Sequence, residues 1–443
     1  MTFAAHRRET LRRGLAGMAW LAAGRPSLAA AAPARKFISG YAGTLPKDPK
    51  DLARTYFNRP AVRTLIYALE QRPVTVAEAK ATLAGQDGTL DDLVRLRLVT
   101  VSGDQVRLGF AYFNAADMRL IHAVAAKYAP SLVAAYRGKA RAFDAIWAQY
   151  PVASVERRKL AFCLIAGVGL NWDGLDLLFD EGWRKPQLVS GPGWQYGFFA
   201  SEDIGDIDYK GFYWGSSAFP GGIPVSPPMP LAFVSFGDPE SDPRMNFPDL
   251  MGLTPSEMTA SVRAAAEKLG LRDDAMLGPG VLGLDAGRGV GRLLLRLRAG
   301  SAGPAALQAA LPGDPVPAEL DLLQAAGYVR AAPDGRFELT APVLDTADRA
   351  MLDRARALNK AIIRDWMRTN YGPIRTELAG LTALRQGVPY AALFTQIWHE
   401  IFGLTTRELV ASGMVADPRA PQSPSPGSLG MAWRPEILQR VWR

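Results

Sequence analysis

The chain has 443 residues, a length that suits two or three domains. Its apolar content of 48% is ample for buried cores, and no run reaches the ~18 to 20 apolar residues of a membrane span. The net charge is +8, but residues 1–34 carry four of these charges, as five arginines and one glutamate. The rest of the chain is therefore too weakly basic for a general polyanion-binding protein.

The N-terminal segment, residues 1–34, has the layout of an export signal. Two arginine pairs precede a short apolar core at 15–24, and small residues with an A-x-A option at 32–34 follow. Arg12 and Arg13, followed by Gly-Leu-Ala, resemble the core of a twin-arginine signal. The resemblance implies export, and we expect a periplasmic protein. The alternative is a basic, alanine-rich tail or a misassigned start.

Two stretches from different halves of the chain read alike. They are Val106–Asp117 and Phe337–Asp348, and each predicts the last strand of a small wing running into the cap of a long helix. Their numbering differs by an offset of 231, which holds as far as Gly182 and Gly413 and shortens toward the N-terminus only where loops are predicted. Matching apolar periods over such a length favour internal duplication over chance similarity.

Each copy begins with three predicted helices and a hairpin. The helices are Pro60–Gln71, Val76–Leu83 and Leu90–Arg97 in the first copy, and Val290–Arg298, Pro304–Leu311 and Ala318–Ala326 in the second. Gly103 and Gly335 supply the tight turns of the two hairpins. This order, with the pattern L-x-x-L-x-L-V from Leu93 to Val99, resembles the winged-helix form of the helix-turn-helix superfamily. The resemblance covers about 55 residues of each copy.

The predicted fold class is mainly α with small β, an α+β protein. It comprises two winged-helix-like units in tandem with helical extensions and a β-containing insert. Its segments in chain order are the signal (1–34), a polar arm (35–57), unit one (58–183), an aromatic, Gly- and Pro-rich insert (184–286), unit two (287–414), and a linker with a tail (415–443). Asn114 and Asp345 are the predicted helix caps, each three residues before an aspartate. A short helix is predicted from Trp433 onward, docked on its own domain or bound to a partner.

Three strands are predicted in the insert: Trp194–Ala200, Tyr209–Trp214 and Leu231–Phe236. Proline-rich turns separate them, so we expect one small antiparallel sheet. The sequence Thr-Pro-Ser-Glu from Thr254 then predicts the start of a helix that runs to Leu269.

The insert also holds a dense cluster of polar and aromatic residues. Several carboxylates close together can bind calcium or act as an acid–base pair. Those of the insert are Glu202, Asp203, Asp206, Asp208, Asp238, Glu240 and Asp242. The ligand-binding candidates are Trp194, Tyr196, Tyr213, Trp214 and Arg244. We expect the two acidic loops to converge beside Trp194 or Trp214. The alternative is a solvated loop beside an ordinary small-sheet core.

Other motifs favour structural roles. Gly278–Gly283 matches G-x-G-x-x-G but lacks the strand and the acidic partner of a dinucleotide site, so it predicts a linker and no nucleotide. His122 and His399 have no ligand-spaced neighbours and are interpreted as helix histidines, so neither zinc nor haem is expected. Cys163, the only cysteine, lies in an apolar run and predicts an inert core thiol.

Nucleic acid is an unfavoured partner despite the winged-helix resemblance. The third helices carry Asp91 and Asp92 in the first copy, and Glu319 and Asp321 in the second, which would repel phosphate. The sequence favours an exported binding or interaction protein of the cell envelope, with a protein or a small polar ligand as its partner. The alternatives are an exported hydrolase that uses the carboxylates of the insert, and a cytosolic DNA-binding regulator with a misread leader.

Overall fold

The computed structural model describes residues 35–44, 46, 48–85, 88–209, 212, 215–219, 230–237, 278–325, 327–419 and 428–438. From Phe37 onward they belong to one compact unit. It is predominantly helical with several small sheets, which confirms the predicted α+β class. The leader, the predicted helix from Thr254 to Leu269 and most of the C-terminal linker lie outside the described residues.

The first half of the chain alternates short strands with helices. Its strands are β1 (Phe37–Thr44), β2 (Val74–Thr75), β3 (Val99–Ser102), β4 (Gln105–Leu108), β5 (Ala111–Phe113), β6 (Leu188–Gly191) and β7 (Trp194–Glu202). Its helices are α1 (Ala53–Phe57), α2 (Pro60–Gln71), α3 (Val76–Leu83), α4 (Leu90–Arg95), α5 (Ala115–Arg137), α6 (Ala140–Trp147), α7 (Arg157–Ala161) and α8 (Gly174–Asp180), with a π-helix at Phe162–Asp173 between the last two.

The described part of the second half also combines short strands with helices. Its strands are β8 (Gly215–Phe219), β9 (Ala232–Gly237), β10 (Val329–Ala331), β11 (Phe337–Leu339), β12 (Val343–Leu344) and β13 (Ser428–Trp433). Its helices are α9 (Gly278–Arg298), α10 (Pro304–Ala310), α11 (Val316–Ala325), α12 (Arg349–Glu377), α13 (Thr382–Arg385) and α14 (Tyr390–Ala411).

Local sequence signals account for where many of these elements begin. Thr75 accepts a hydrogen bond from the amide of Glu78, whose carboxylate accepts one from the amide of Thr75, so a capping box starts α3. Asn114 starts α5 in the same way, as predicted, and Asp345 opens the 3₁₀ turn that leads into α12. Gly103 adopts a φ of +58°, which a hairpin turn requires and glycine allows without strain.

The larger sheets contradict the prediction of one antiparallel sheet within 184–286. The sheet of β7 contains β1 and β5 as its neighbours, with β6 paired to β7 as well, whereas β9 lies in another sheet between β8 and β13. Tyr209 and Phe212 are outside any strand, and the strand that follows them is β8. The prediction was wrong because β7 and β9 also pair with strands far away in the chain, β1 and β13, and alternation of side chains does not reveal such partners.

The long helices form the main core. Helix α5 packs along α14, and α12 packs along the π-helix, whose residues are all buried. The apolar run at Leu160–Leu170, predicted to be a buried helix, is buried in full and includes Cys163. By length and composition Arg157–Asp180 could cross a membrane, but 83% of its apolar window is buried inside the protein. It is therefore not a clear membrane span.

Two further predictions were wrong. Gly278–Gly283 lies within α9 rather than in a linker. The chain after Trp433 forms a turn rather than a helix as far as Leu438, where the description ends. Trp433 and Leu438 are nevertheless buried, and the Trp433 indole donates to the Leu438 carbonyl at 2.8 Å, so this part of the tail is docked on its own domain.

Candidate functional site

The acidic loop after β7 is fastened to the two long helices α5 and α14. Glu202 accepts a hydrogen bond from the amide of Ala115, the first residue of α5, at 2.8 Å. Asp206 forms an ion pair with Arg119 at 2.7 Å, and the Arg119 guanidinium lowers the pKa of that carboxyl. Arg407 of α14 donates to the backbone carbonyl of Asp208 at 3.3 Å. These residues thus hold the loop against the helices.

A histidine–glutamate pair lies beneath this loop. His122 Nδ1 is 3.1 Å from Glu400 Oε2, and Glu400 is fully buried between α5 and α14. Burial raises the pKa of Glu400, with His122 opposing the shift, and Glu400 Oε1 has no hydrogen-bond partner. Tyr209 of the loop interacts with the same carboxyl, and its own pKa is raised by burial and by Glu400. Phe212 stacks on the imidazole with the ring centroids 6.0 Å apart.

An apolar groove continues along α5 and α14 one helical turn beyond this pair. Its volume is about 390 Å³. The lining residues are Ala126, Ala129, Pro130, Val133, Ala134, Arg137, Leu404, Arg407 and Glu408. The Arg407 guanidinium lies 5.2 Å from the centre of the Phe212 ring, so the loop forms one end of the groove. An apolar floor with charged groups at the rim is suited to binding a chain or a side chain with a polar end.

The crossing of α12 with the π-helix is bridged by ion pairs. Arg356 makes a bidentate ion pair with the buried Asp173, at 2.7 and 2.9 Å, and Lys360 approaches the same carboxylate at 3.7 Å. Arg364 pairs with Glu181 at 2.7 Å. Charged side chains thus bridge this crossing, whereas small and apolar residues line the groove between α5 and α14.

The sequence offset of 231 aligns residues of the groove with residues of this crossing. Ala129 of the groove corresponds to Lys360, Val133 to Arg364, and Leu404 to Asp173. Three positions that carry ion pairs at one helix crossing therefore align with apolar residues at the other.

Two of the predicted aromatic residues, Trp194 and Tyr196, lie on β7. Trp194 is half-buried and stacks on Tyr196 with the ring centroids 5.8 Å apart. The Tyr196 hydroxyl is hydrogen-bonded to the amide of Ala53 and to the carbonyl of Asp51, so this buried side chain joins β7 to the preceding arm. Trp194 and Glu202 occupy opposite ends of the nine-residue strand β7, roughly 26 Å apart at the usual rise per residue. The first acidic loop therefore does not lie beside Trp194.

The remaining predicted site residues are only partly placed. Asp203 lies in the loop with Asp206 and Asp208. The predicted residues that lie outside the described part of the chain are Tyr213, Trp214, Asp238, Glu240, Asp242 and Arg244. Among the residues that are described, no three acidic, histidine or cysteine side chains form a group able to hold a metal ion. The second acidic loop is not included in that search, so the calcium hypothesis stays a prediction.

The sequence interpretation missed the pairing of His122 with Glu400. His122 was interpreted as a structural helix residue, and Glu400 was not singled out. The available signal was a glutamate inside the apolar stretch Ile397–Leu404. His399 in the same stretch fits the structural interpretation, since it is half-buried, desolvation lowers its pKa to about 4, and its Nδ1 lies 2.6 Å from the Thr395 carbonyl.

Comparisons of this chain with protein-family models, with curated proteins and with solved structures found no match.

Proposed function

We propose that this chain is an exported binding or interaction protein of the cell envelope, built from a duplicated winged-helix-like unit. The observation that carries the binding hypothesis is the groove between α5 and α14, which stays open where the corresponding helix crossing is bridged by ion pairs. The partner that we expect there is a protein segment or a small ligand with an apolar part and a polar end.

The backbone pairing of the small hairpins supports the duplication. Val99 pairs with Leu108 in the first half, and Val329 pairs with Leu339 in the second. A short strand joins the first hairpin through Val74 and Val106, and an isolated bridge between Ala302 and Phe337 joins the second. All four partners of the second half follow from those of the first by the same sequence offsets, which lie between 228 and 231.

The larger sheets extend the correspondence beyond the predicted units. Strand β5 runs parallel to β7, and β12 runs parallel to β13. Strand β1 is the antiparallel neighbour of β7, and β9 is the antiparallel neighbour of β13. Each copy would then contribute a strand before its winged-helix-like unit and a strand after it. Under this proposal, β7 of the predicted insert belongs to the first copy and β9 belongs to the second.

The two copies would also exchange their long helices. Helix α5 of the first half packs on α14 of the second, and α12 of the second half packs on the π-helix of the first. Asn114 at the start of α5 donates to Thr382 at 3.0 Å, while the Tyr150 hydroxyl is hydrogen-bonded to both the amide and the carbonyl of Val343, just before α12. This reciprocal packing is the pattern of an interlocked dimer whose two protomers lie in one chain.

The third helices support a partner other than DNA. Arg95 of α4 donates to the Asp51 carboxylate at 2.7 Å and to the Lys50 carbonyl at 3.0 Å, so its guanidinium is occupied within the protein. In α11, Glu319 is buried. A helix that reads DNA presents free basic or amide groups to base edges and phosphates.

Photo-crosslinking in cells tests the binding hypothesis. A photoreactive amino acid at Ala134, which lines the groove and is exposed, is expected to give a discrete crosslinked product. The same amino acid at Ala123, which is exposed on α5 but does not line the groove, is the matched control. Equal products at both positions, or none at Ala134, would contradict the proposal.

Export is tested separately. Replacing Arg12 and Arg13 with lysine should leave the full-length protein in the cytosol, because twin-arginine signals depend on both arginines. Periplasmic accumulation of the double variant at the parental level would refute the twin-arginine part of the proposal. A parental protein found uncleaved in the cytosol would refute export altogether.

A hydrolase is the second candidate, and the pairing of Glu400 with His122 favours it. A buried carboxyl with a raised pKa beside a histidine is suited to proton transfer. Two of the described carboxylates of the insert that were predicted for this role, Glu202 and Asp206, instead fasten the loop. Hydrolysis of an ester, peptide or glycoside panel that is abolished by Glu400→Gln, with folding retained, would establish this candidate. If the parental protein hydrolyses none of these substrates, the hydrolase candidate is excluded for them.

A further inference from the structure

Strand β1 is an outer strand of its sheet. One of its edges pairs with β7 along its whole length, and the other edge pairs with no strand among the described residues. From Ser39 to Gly43, the backbone makes no further hydrogen bond to another backbone group of the described chain. The only side chain that bonds this edge is Arg54, whose guanidinium donates to the Ser39 carbonyl.

The alternation of an antiparallel pair identifies the backbone groups that face the open edge. Every second residue exchanges both of its hydrogen bonds with the neighbouring strand, and the residues between them point away from that strand. Ser39 belongs to the second kind, because its carbonyl accepts from Arg54. The amides and carbonyls of Tyr41 and Gly43 then point in the same direction as those of Ser39. The segment Ser39–Gly43 therefore presents a row of backbone donors and acceptors.

The corresponding edge in the other half of the chain is covered by a strand. Strands β5 and β12, which are related by the offset of 231, give the register between the two sheets. Followed through β7 and β13, this register relates Ile38 of β1 to Ala232 of β9, and the segment Ser39–Gly43 to Phe233–Gly237. Strand β8 pairs antiparallel with the whole of Phe233–Gly237. The edge that β8 covers in one sheet is thus open in the other.

The sequence of β1 contains none of the features that usually protect an outer strand. Proteins block such edges with charged side chains, proline or bulges, whereas Phe37–Thr44 has no charged residue and no proline. Ile38, next to the open segment, is 52% exposed, which makes it the most exposed large hydrophobic residue in the described part of the chain. Arg54 is exposed, so exchanging its one hydrogen bond for a strand partner costs little.

We propose that the open edge of β1 pairs with the same edge of a second copy of this chain, so that the two sheets become continuous across a twofold axis. A twofold axis places two identical strands antiparallel, which is the orientation that β8 adopts on β9. Tyr41 would lie at the axis, with Ser39 opposite Gly43 of the second copy. No like charges would meet, because the strand is uncharged.

The comparison of β1 with β9 rests on the proposed duplication, whereas the open edge itself is observed directly. Pairing through one short strand buries less surface than a standard interface, so we expect a weak dimer that forms as the concentration rises. Sedimentation equilibrium of the parental protein should show an average mass that approaches twice that of the monomer. A monomer at every concentration would overturn the edge pairing. It would leave the duplication and the groove untouched, since the groove is tested by crosslinking at Ala134.

A proline variant locates the interface. Ser39→Pro removes an amide that faces the open edge, and proline is tolerated where the amide of an outer strand faces solvent, so the variant should fold and stay monomeric. Val101→Pro is the matched control, because Val101 is exposed on β3, the outer strand of another sheet, and the variant should still dimerise. A dimer that persists in Ser39→Pro would refute this interface.

Hydrogen exchange of the parental protein decides the matter if Ser39→Pro does not fold. The amides of Ser39, Tyr41 and Gly43 should exchange more slowly at high than at low protein concentration, because pairing occupies them. The amide of Val101 should exchange equally fast at both concentrations. Exchange of the three β1 amides that does not depend on concentration would contradict the proposal.

Discussion

The buried carboxyl of Glu319 on α11 should make stability fall as the pH rises toward 7. Burial raises its pKa to about 7 from the ordinary value of 4.5, with Asp314 adding to the shift and Arg292 opposing it. Helix α9 covers the carboxyl so closely that a side chain at Gly289 would collide with Glu319 Oε1, and Oε2 has no hydrogen-bond partner. The folded protein therefore favours the protonated form of this group.

The sign and the magnitude follow from that shift. Below pH 4.5 the carboxyl is protonated in both states and has no pH-dependent effect. Between pH 4.5 and about 7 it ionises in the unfolded state first, so the free energy of unfolding decreases by up to ~1.4 kcal/mol per pH unit. Allowing for partial screening by solvent and by Arg292, we expect a total loss of about 2 kcal/mol at pH 8. Glu319→Gln cannot ionise and should not show this loss.

Urea denaturation at pH 5 and pH 8 measures the effect. The free energy of unfolding of Glu319→Gln minus that of the parental protein should be about 2 kcal/mol more positive at pH 8 than at pH 5, so that the variant gains relative stability as the pH rises. Glu436→Gln is the control, since Glu436 is exposed and should change little at either pH. Parallel pH profiles for the parental protein and Glu319→Gln would refute the reasoning.

Two further predictions concern the crossing of α12 with the π-helix. Asp173→Asn should reduce the free energy of unfolding by about 2 to 3 kcal/mol, because it leaves Arg356 partly buried without its counter-charge; an unchanged urea midpoint would show that the pair contributes nothing. Gly169→Ala should cost about 1 to 3 kcal/mol, because the added Cβ would lie 2.6 Å from Asn359 Cγ. Gly380→Ala, where the nearest side-chain atom is 4.0 Å away, is the matched control, and equal effects of the two alanines would exclude the close approach as the cause.

Local signals in the sequence predicted the local structure well. The helices at Pro60–Gln71 and Val76–Leu83, the hairpin turn at Gly103 and the cap at Asn114 all occur as predicted. Each of these depends on residues within a few positions of one another, such as a side chain that accepts from an amide three residues later. Hydrophobic periodicity and capping chemistry carry that information directly.

The sheet partners and the polar site were not predictable in the same way. Strand β1 pairs with β7, which follows only after helices α1 to α8, through backbone groups that are the same for any sequence. The His122–Glu400 pair joins residues 278 positions apart. Neither residue has a neighbour in the sequence that identifies its partner, so only the packing of α5 on α14 shows that they meet. The acidic loop was found by composition, but its arginine partners lie on those same distant helices.

If the chain is a duplication, its halves can be compared position by position. The buried polar residues that occur in only one half are then of two kinds: those that have partners within the protein and those that keep an atom without a partner. Asp173 is buried, but Arg356 and Lys360 satisfy it, so its ion pairs are explained by the stability of that helix crossing. Glu400 is buried as well, yet its Oε1 atom has no hydrogen-bond partner among the described residues, and its counterpart is Gly169. Stability would favour the apolar alternative at this position. Binding of a ligand is a physical reason to retain such a group, which makes the surroundings of Glu400 the first place to look for function.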